Sequence, residues 1–132
     1  MPQDAGSPIY ETLDIKSRNG IKIVADDAVT AIDPGDGRIP AAAGSTFNNS
    51  RCRFTTISLT TAAGADVGGL QLYNKNIKTT SSVFLSASTG GTGTPVATLG
   101  VISAGNITLQ ITNVDASAAF NNTVTVDVLI VN

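Results

Sequence analysis

The segments NITLQIT (106–112) and NTVTVDVLIV (122–131) alternate apolar and polar residues over most of their length. A period of two is the pattern of a strand with one face on a core and the other in water. An amphipathic helix would repeat its apolar residues every three or four positions. No other part of the chain shows a sustained helical period with caps, so strands dominate its reading.

Six stretches, most of them rich in β-branched residues, occupy residues 51–131: RCRFTTISLTTAA (51–63), GLQLYN (69–74), SSVFLSAS (81–88), TPVATLGVIS (94–103), and the two above. Gly, Asn or Asp stands in the stretches between them. Upstream, LDIKSRNGIKIVA (13–25) reads as a hairpin around Asn19-Gly20. A three-residue loop, Arg18-Asn19-Gly20, pairs Leu13 with Ala25 and Ile15 with Ile23 and gathers the apolar residues on one face. About eight strands in one domain predict an antiparallel two-sheet sandwich, with a jelly roll favoured. An immunoglobulin-like sandwich ranks second, because Trp is absent and a single cysteine permits no internal pair. The predicted inner face is Ile23, Val83, Leu85, Ile107, Leu109, Ile111, Val124, Val126 and Val128.

Four local features qualify this pattern. Residues 33–50, DPGDGRIPAAAGSTFNNS, read as a long loop. In RCRFTTISLTT, Phe54 has the opposite parity to Ile57 and Leu59, which predicts a bulge near Thr55-Thr56 or burial of both faces. DASAAF (115–120) predicts one short helical turn capped by Asp115. In the last strand, Leu129 and Val131 have the parity opposite to Val128 and Ile130. A strand apolar on both faces is covered on both, and a small sandwich has one inner face. A second chain is the expected cover for Leu129 and Val131.

The 132 residues suffice for one core. Residues 1–10, with Pro2, Gly6 and Pro8, read as an extended arm, and 11–132 as the sandwich domain. Two prolines disfavour a place for the arm in a central strand. Ile9 and Tyr10 are its main apolar anchors, so Pro2, Pro8, Ile9 and Tyr10 are read as contacts to a neighbouring chain. The net charge of −2 leaves no basic excess for nucleic acid. No apolar stretch approaches the roughly 18–20 residues of a membrane span. The first residues, MPQDAGSPIYETLD, lack the basic and apolar regions of a secretory signal.

Candidate chemistry is sparse. The chain has no histidine, which removes Ser-His and Cys-His nucleophile activation and the commonest general base. Cys52 lies between Arg51 and Arg53, two cations that could lower its pKa. In a strand, however, they point to the opposite face, and a buried, inert thiol is expected. Asp26, Asp27, Asp33 and Asp36 crowd one segment, but their spacing matches no calcium loop, and Asp-Pro-Gly and Asp-Gly are ordinary turn chemistry. STGGTGTP (88–95) lacks the lysine and following helix of a phosphate loop and reads as a flexible turn. No metal, cofactor or enzymatic activity is expected from these residues.

Residues 81–132 combine the Gly-Thr turn before TPVATLGVISAG, the strand NITLQITN, an Asp-Ala-rich loop and a closing Thr/Val strand. In composition and strand rhythm this stretch resembles the small jelly-roll decoration (cement) proteins on the heads of tailed phages, especially phages of cyanobacteria and marine bacteria. The resemblance implies a virion structural protein, assembled in the host cytoplasm, that binds the major capsid protein on the outer head surface and stabilises the shell. It also implies self-association, with a homotrimer favoured, and transfers no functional residue. The alternative is a tail-fibre or receptor-binding module of the same fold. A glycan-binding version is disfavoured by the absence of Trp and by only two tyrosines, Tyr10 and Tyr73.

Overall fold

The alternating segments become strands that bury one side each. The computed structural model describes residues 27–42 and 44–132. Among the described residues there are eight strands: β1 (Asp27–Ile32), β2 (Arg38–Ile39), β3 (Arg51–Thr56), β4 (Asp66–Tyr73), β5 (Ser82–Thr89), β6 (Pro95–Ser103), β7 (Asn106–Asn113) and β8 (Val124–Val131). They form two four-stranded sheets, ordered β1-β3-β8-β5 and β2-β4-β7-β6. The sheets pack as a sandwich around one apolar cluster. The Asn19-Gly20 hairpin, Ile23 and the arm lie outside the described residues.

The core is the alternation made physical. Ile107, Leu109 and Ile111 of β7 and Val124, Val126, Val128 and Ile130 of β8 are buried, as the sequence predicts. Val83 and Leu85 pack against the same cluster but stay half-buried, because β5 is a sheet edge. Buried beside the β8 residues are Phe54 and Cys52 from β3, and beside the β7 residues are Leu70 and Leu72 from β4. Full burial of side chains such as Leu70 or Phe54 contributes about 1.5–3 kcal/mol each.

The wholly antiparallel arrangement is not followed at two edges. β1 runs parallel to β3, and β2 runs parallel to β4. The first four strands alternate between the sheets, so each edge strand and its neighbour are separated by an excursion through the other sheet. Such a connection can return the chain in the same direction, which a tight hairpin cannot.

The segment 33–50 is not a plain loop. Asp33 caps a 3-10 turn (Pro34–Asp36) by accepting a hydrogen bond from the Gly35 N–H at 2.8 Å. The chain then lays β2 against β4, and Phe47 bridges to Asn74. Ile39 and Phe47 are buried, so apolar content decided what the Pro and Gly residues obscured. The parity conflict after Phe54 resolves by neither predicted route. β3 ends at Thr56, Ile57 is exposed, and Leu59 enters the core from the following irregular segment. DASAAF forms no helix. Asp115 instead accepts from the Ser117 and Ala118 amides in a non-helical turn, and Phe120 is buried.

Two buried asparagines close the ends of the sandwich. Asn113, at the end of β7, donates to the carbonyls of Thr61, Ala62 and Ala118 and accepts from the Thr94 and Asp115 amides. Asn74, after β4, donates to the Asn49 carbonyl, and its side-chain oxygen accepts from the Asn76 amide. Buried amides require such saturation. The Gly-rich turn is accordingly pinned, not free. Thr92 donates its amide to the Asn121 side chain and its hydroxyl to the Ala119 carbonyl, and Gly93 (φ 86°) sits against Phe120.

Candidate functional site

The outward side of the β1-β3-β8-β5 sheet carries the residues that the core does not use. Because β8 alternates, Thr125, Asp127, Leu129 and Val131 face away from Val124, Val126, Val128 and Ile130. Strand register then sets their neighbours in rows. Phe84, Leu129 and Arg51 form one row, and Ser86, Asp127 and Arg53 the next. Ser88, Thr125 and Thr55 follow, with the Thr55 and Thr125 hydroxyls 3.0 Å apart.

The two rows with charge differ in what they offer. Arg53 grips Asp127 through two hydrogen bonds, Nε to Oδ1 and Nη2 to Oδ2, each 3.0 Å. Arg51 adds a contact of 3.3 Å from Nη2 to Oδ1. Partial burial pushes the Asp127 carboxyl up, but the hydrogen bonds and charge of Arg53, then of Arg51, outweigh it and hold the group below the usual carboxylate value. Beside this cluster, Phe84 is 59% exposed and Val131 47% exposed, with Leu129 half-buried between Phe84 and Arg51. A hollow of about 220 Å³ opens here, lined by Phe84, Ser86, Leu129, Asp127 and Arg51. Its apolar wall is Phe84 and Leu129, and its polar wall is Ser86 and the ion cluster.

The sequence-derived candidates fall in three places. Leu129 and Val131 lie on this outer face, with Phe84 beside them. Pro2, Pro8, Ile9 and Tyr10 lie outside the described residues, as does Asp26. Asp27, Asp33 and Asp36 are structural or turn groups. Asp27 accepts from the Asn48 and Asn49 amides at 2.6 and 2.9 Å, and the Asn48 bond is the main cause of its lowered pKa. Asp33 caps the 3-10 turn that contains Asp36. Among the described residues, no group of acidic or sulfur side chains is placed to hold a metal ion.

Cys52 is buried and points away from Arg51 and Arg53, as strand geometry requires. Burial pushes its thiol up to about 12, against a weak contact from the Asn74 side-chain amide at 3.7 Å. Such a thiol is not a nucleophile at neutral pH.

Sequence reasoning missed Phe84 and the Arg51–Asp127–Arg53 cluster. A signal for Phe84 existed, since its parity is opposite to Val83 and Leu85. The ion cluster depends on the β3–β8 register and has no local signature. No family model, characterised protein or solved structure matches this chain.

Proposed function

We propose that this chain is a virion structural protein, a capsid decoration (cement) protein that binds the outer surface of a phage head and stabilises the shell. The observation that carries the reading is the stripe of exposed Phe84 and Val131 with half-buried Leu129 on one outer sheet face. A stripe of this kind beside a partly buried ion cluster is a docking surface for protein. The resemblance of residues 81–132 to cement proteins supplies the class of protein docked. Tightly bonded loops and a saturated core suit a clamp, whose contacts are repeated by symmetry and add by avidity.

In this reading the major capsid protein is the partner and copies of the chain associate, with a trimer favoured. The test is co-sedimentation of the full-length protein with empty heads of the virus that encodes it. Saturable binding at a fixed ratio to the shell subunit is the expected result. Absence of head binding, together with binding to host cells, would replace this reading with the receptor-binding alternative.

A further inference from the structure

We infer that the outer face of the β1-β3-β8-β5 sheet takes an acidic segment of a partner protein, with a carboxylate of that segment on Arg51 and an apolar side chain two residues away in the hollow between Phe84 and Leu129. The inference deepens the proposed reading, on which it rests for the identity of the partner, and adds the chemistry by which the shell protein would be held.

Charge selects the sign of the partner. Among the described residues the ionised groups of this face are Arg51, Arg53 and Asp127, two cations against one anion. Elsewhere the described residues hold five aspartates against three cations, Arg38, Lys75 and Lys78. The face therefore carries the sign opposite to the rest. An acidic partner is drawn to it and turned away from other surfaces, which fixes orientation as well as encounter rate. A second copy presenting the same face would meet like charge. A nucleic acid would meet two arginines here and net negative charge beyond them, too little for a polyanion.

The hollow selects the rest. Arg53 commits two of its donors to Asp127, whereas Arg51 gives it a single contact and also lines the hollow. A guanidinium is a fork of several N–H donors, so Arg51 can take a second carboxylate. The opposite wall is Phe84 and Leu129. At about 220 Å³ the hollow is smaller than the roughly 300 Å³ at which pockets for whole small ligands begin. It has the size of a side chain. The hollow on the other sheet is nearly as large but has no charged group in its lining.

Spacing joins the two contacts in one segment. Arg51, Leu129 and Phe84 stand in one row across β3, β8 and β5. With strands about 4.8 Å apart, the point between Leu129 and Phe84 lies about 7 Å from Arg51. Side chains at i and i+2 of an extended chain share a face and stand about 7 Å apart. An acidic and an apolar residue at that spacing reach both ends of the row.

The experiment is amide NMR of the isotope-labelled full-length protein, titrated with the capped peptide acetyl-Glu-Ser-Leu-Ser-Glu-amide at low salt. The signals of Arg51, Phe84, Ser86 and Leu129 are expected to shift and saturate, and to return toward their free positions at high salt. The same peptide with Gln for Glu is expected to bind about tenfold more weakly or worse, as loss of a hydrogen bond to a charged group does. Arg51→Gln should lose a similar factor with native far-UV circular dichroism, and Phe84→Ser serves as a second variant if Arg51→Gln folds poorly. Val101→Ser, on the other sheet, should bind like the wild type. No shift at these signals up to millimolar peptide, equal binding of the Gln peptide, or variants that bind normally would overturn the inference. Tighter binding of an oligothymidylate at the same signals would overturn it in favour of nucleic acid. Peptide binding in a protein that ignores empty heads would leave the inference standing and remove the cement reading. Head binding indifferent to Arg51→Gln and to Phe84→Ser would leave the cement reading and remove this face as the contact.

Discussion

The two outer faces of this sandwich share a scaffold and differ in what they display. On the β1-β3-β8-β5 sheet, the outward positions include Phe84, Leu129 and Val131 beside two arginines and an aspartate. On the other sheet, the outward rows of β4, β7 and β6 are Thr98, Gln110 and Gly69, with Thr108 beside Gln71 and Arg38 beyond. That side also has a hollow, about 240 Å³, but it is framed by Gly69, Gly100, Thr98 and Gln110. Two recesses of nearly equal size thus differ in their walls. One joins an aromatic to an ion cluster, and the other has neither an aromatic nor a charged group in its lining. Burial alternates along the central strands β7 and β8 of the two sheets, which leaves their outward positions free of any demand from the core. What separates them is the freedom each exposed position has to carry a residue that the fold does not need.

The largest effect is expected where the inner side of the polar sheet is opened. Leu109 is buried between Leu70 and Leu99 in the central strand β7. Leu109→Ala should cost about 2–5 kcal/mol, read as a lowered denaturation midpoint. Unchanged melting would show that this sheet's inner side is not the core.

Next comes the Asn113 hub. Asn113→Ala removes the shared partner of three carbonyls and two amides. About 1–3 kcal/mol is expected for each group left unpaired and buried, less where water enters. Hydrogen exchange should quicken first in the Gly-rich turn, through Thr94, and in the turn at Asp115. Uniform quickening across both sheets would contradict the role assigned to Asn113 as a local clasp.

A smaller effect tests the charged face. The Asp127 pKa is depressed in the folded chain, so its contribution to stability is complete above the ordinary value of 3.8 and is lost as pH falls below it. Asp127→Asn should flatten the acid limb of a stability–pH curve and change stability at neutral pH by about 1 kcal/mol or less, since such pairs are solvent-screened. An acid limb identical to that of the wild type would mean that the carboxylates of Asp27 and Asp115, also depressed, account for it.

The smallest expected effect is none. Native Cys52 should resist maleimide at neutral pH and react fully in denaturant, because its thiol is buried and raised to about 12. Fast native labelling would place Cys52 on the outer side and invert the register of β3, and with it the contrast between the two faces.

The class of fold, the strands β5, β7 and β8, and the inner residues of those strands were legible in the sequence. Each of them keeps one parity from end to end, so a period of two reads directly onto burial. It also determined that Cys52 and its flanking arginines face opposite ways, and that Leu129 and Val131 face away from the core. Tertiary structure alone decided the strands whose parity changes midway. β1 shifts register between Val29 and Ile32, with Ala31 at φ 58°, and so turns Ile32 into the core. β4 and β6 shift similarly, between Asp66 and Gly69 and between Leu99 and Ile102. A bulge inserts one residue and flips every side chain after it, so a fixed-period reading loses phase there. The short strand β2 and the buried Phe47 had no period to read, and their place came from the sheet edge they cover. The ion cluster joins residues more than seventy positions apart, and only the β3–β8 pairing brings them together.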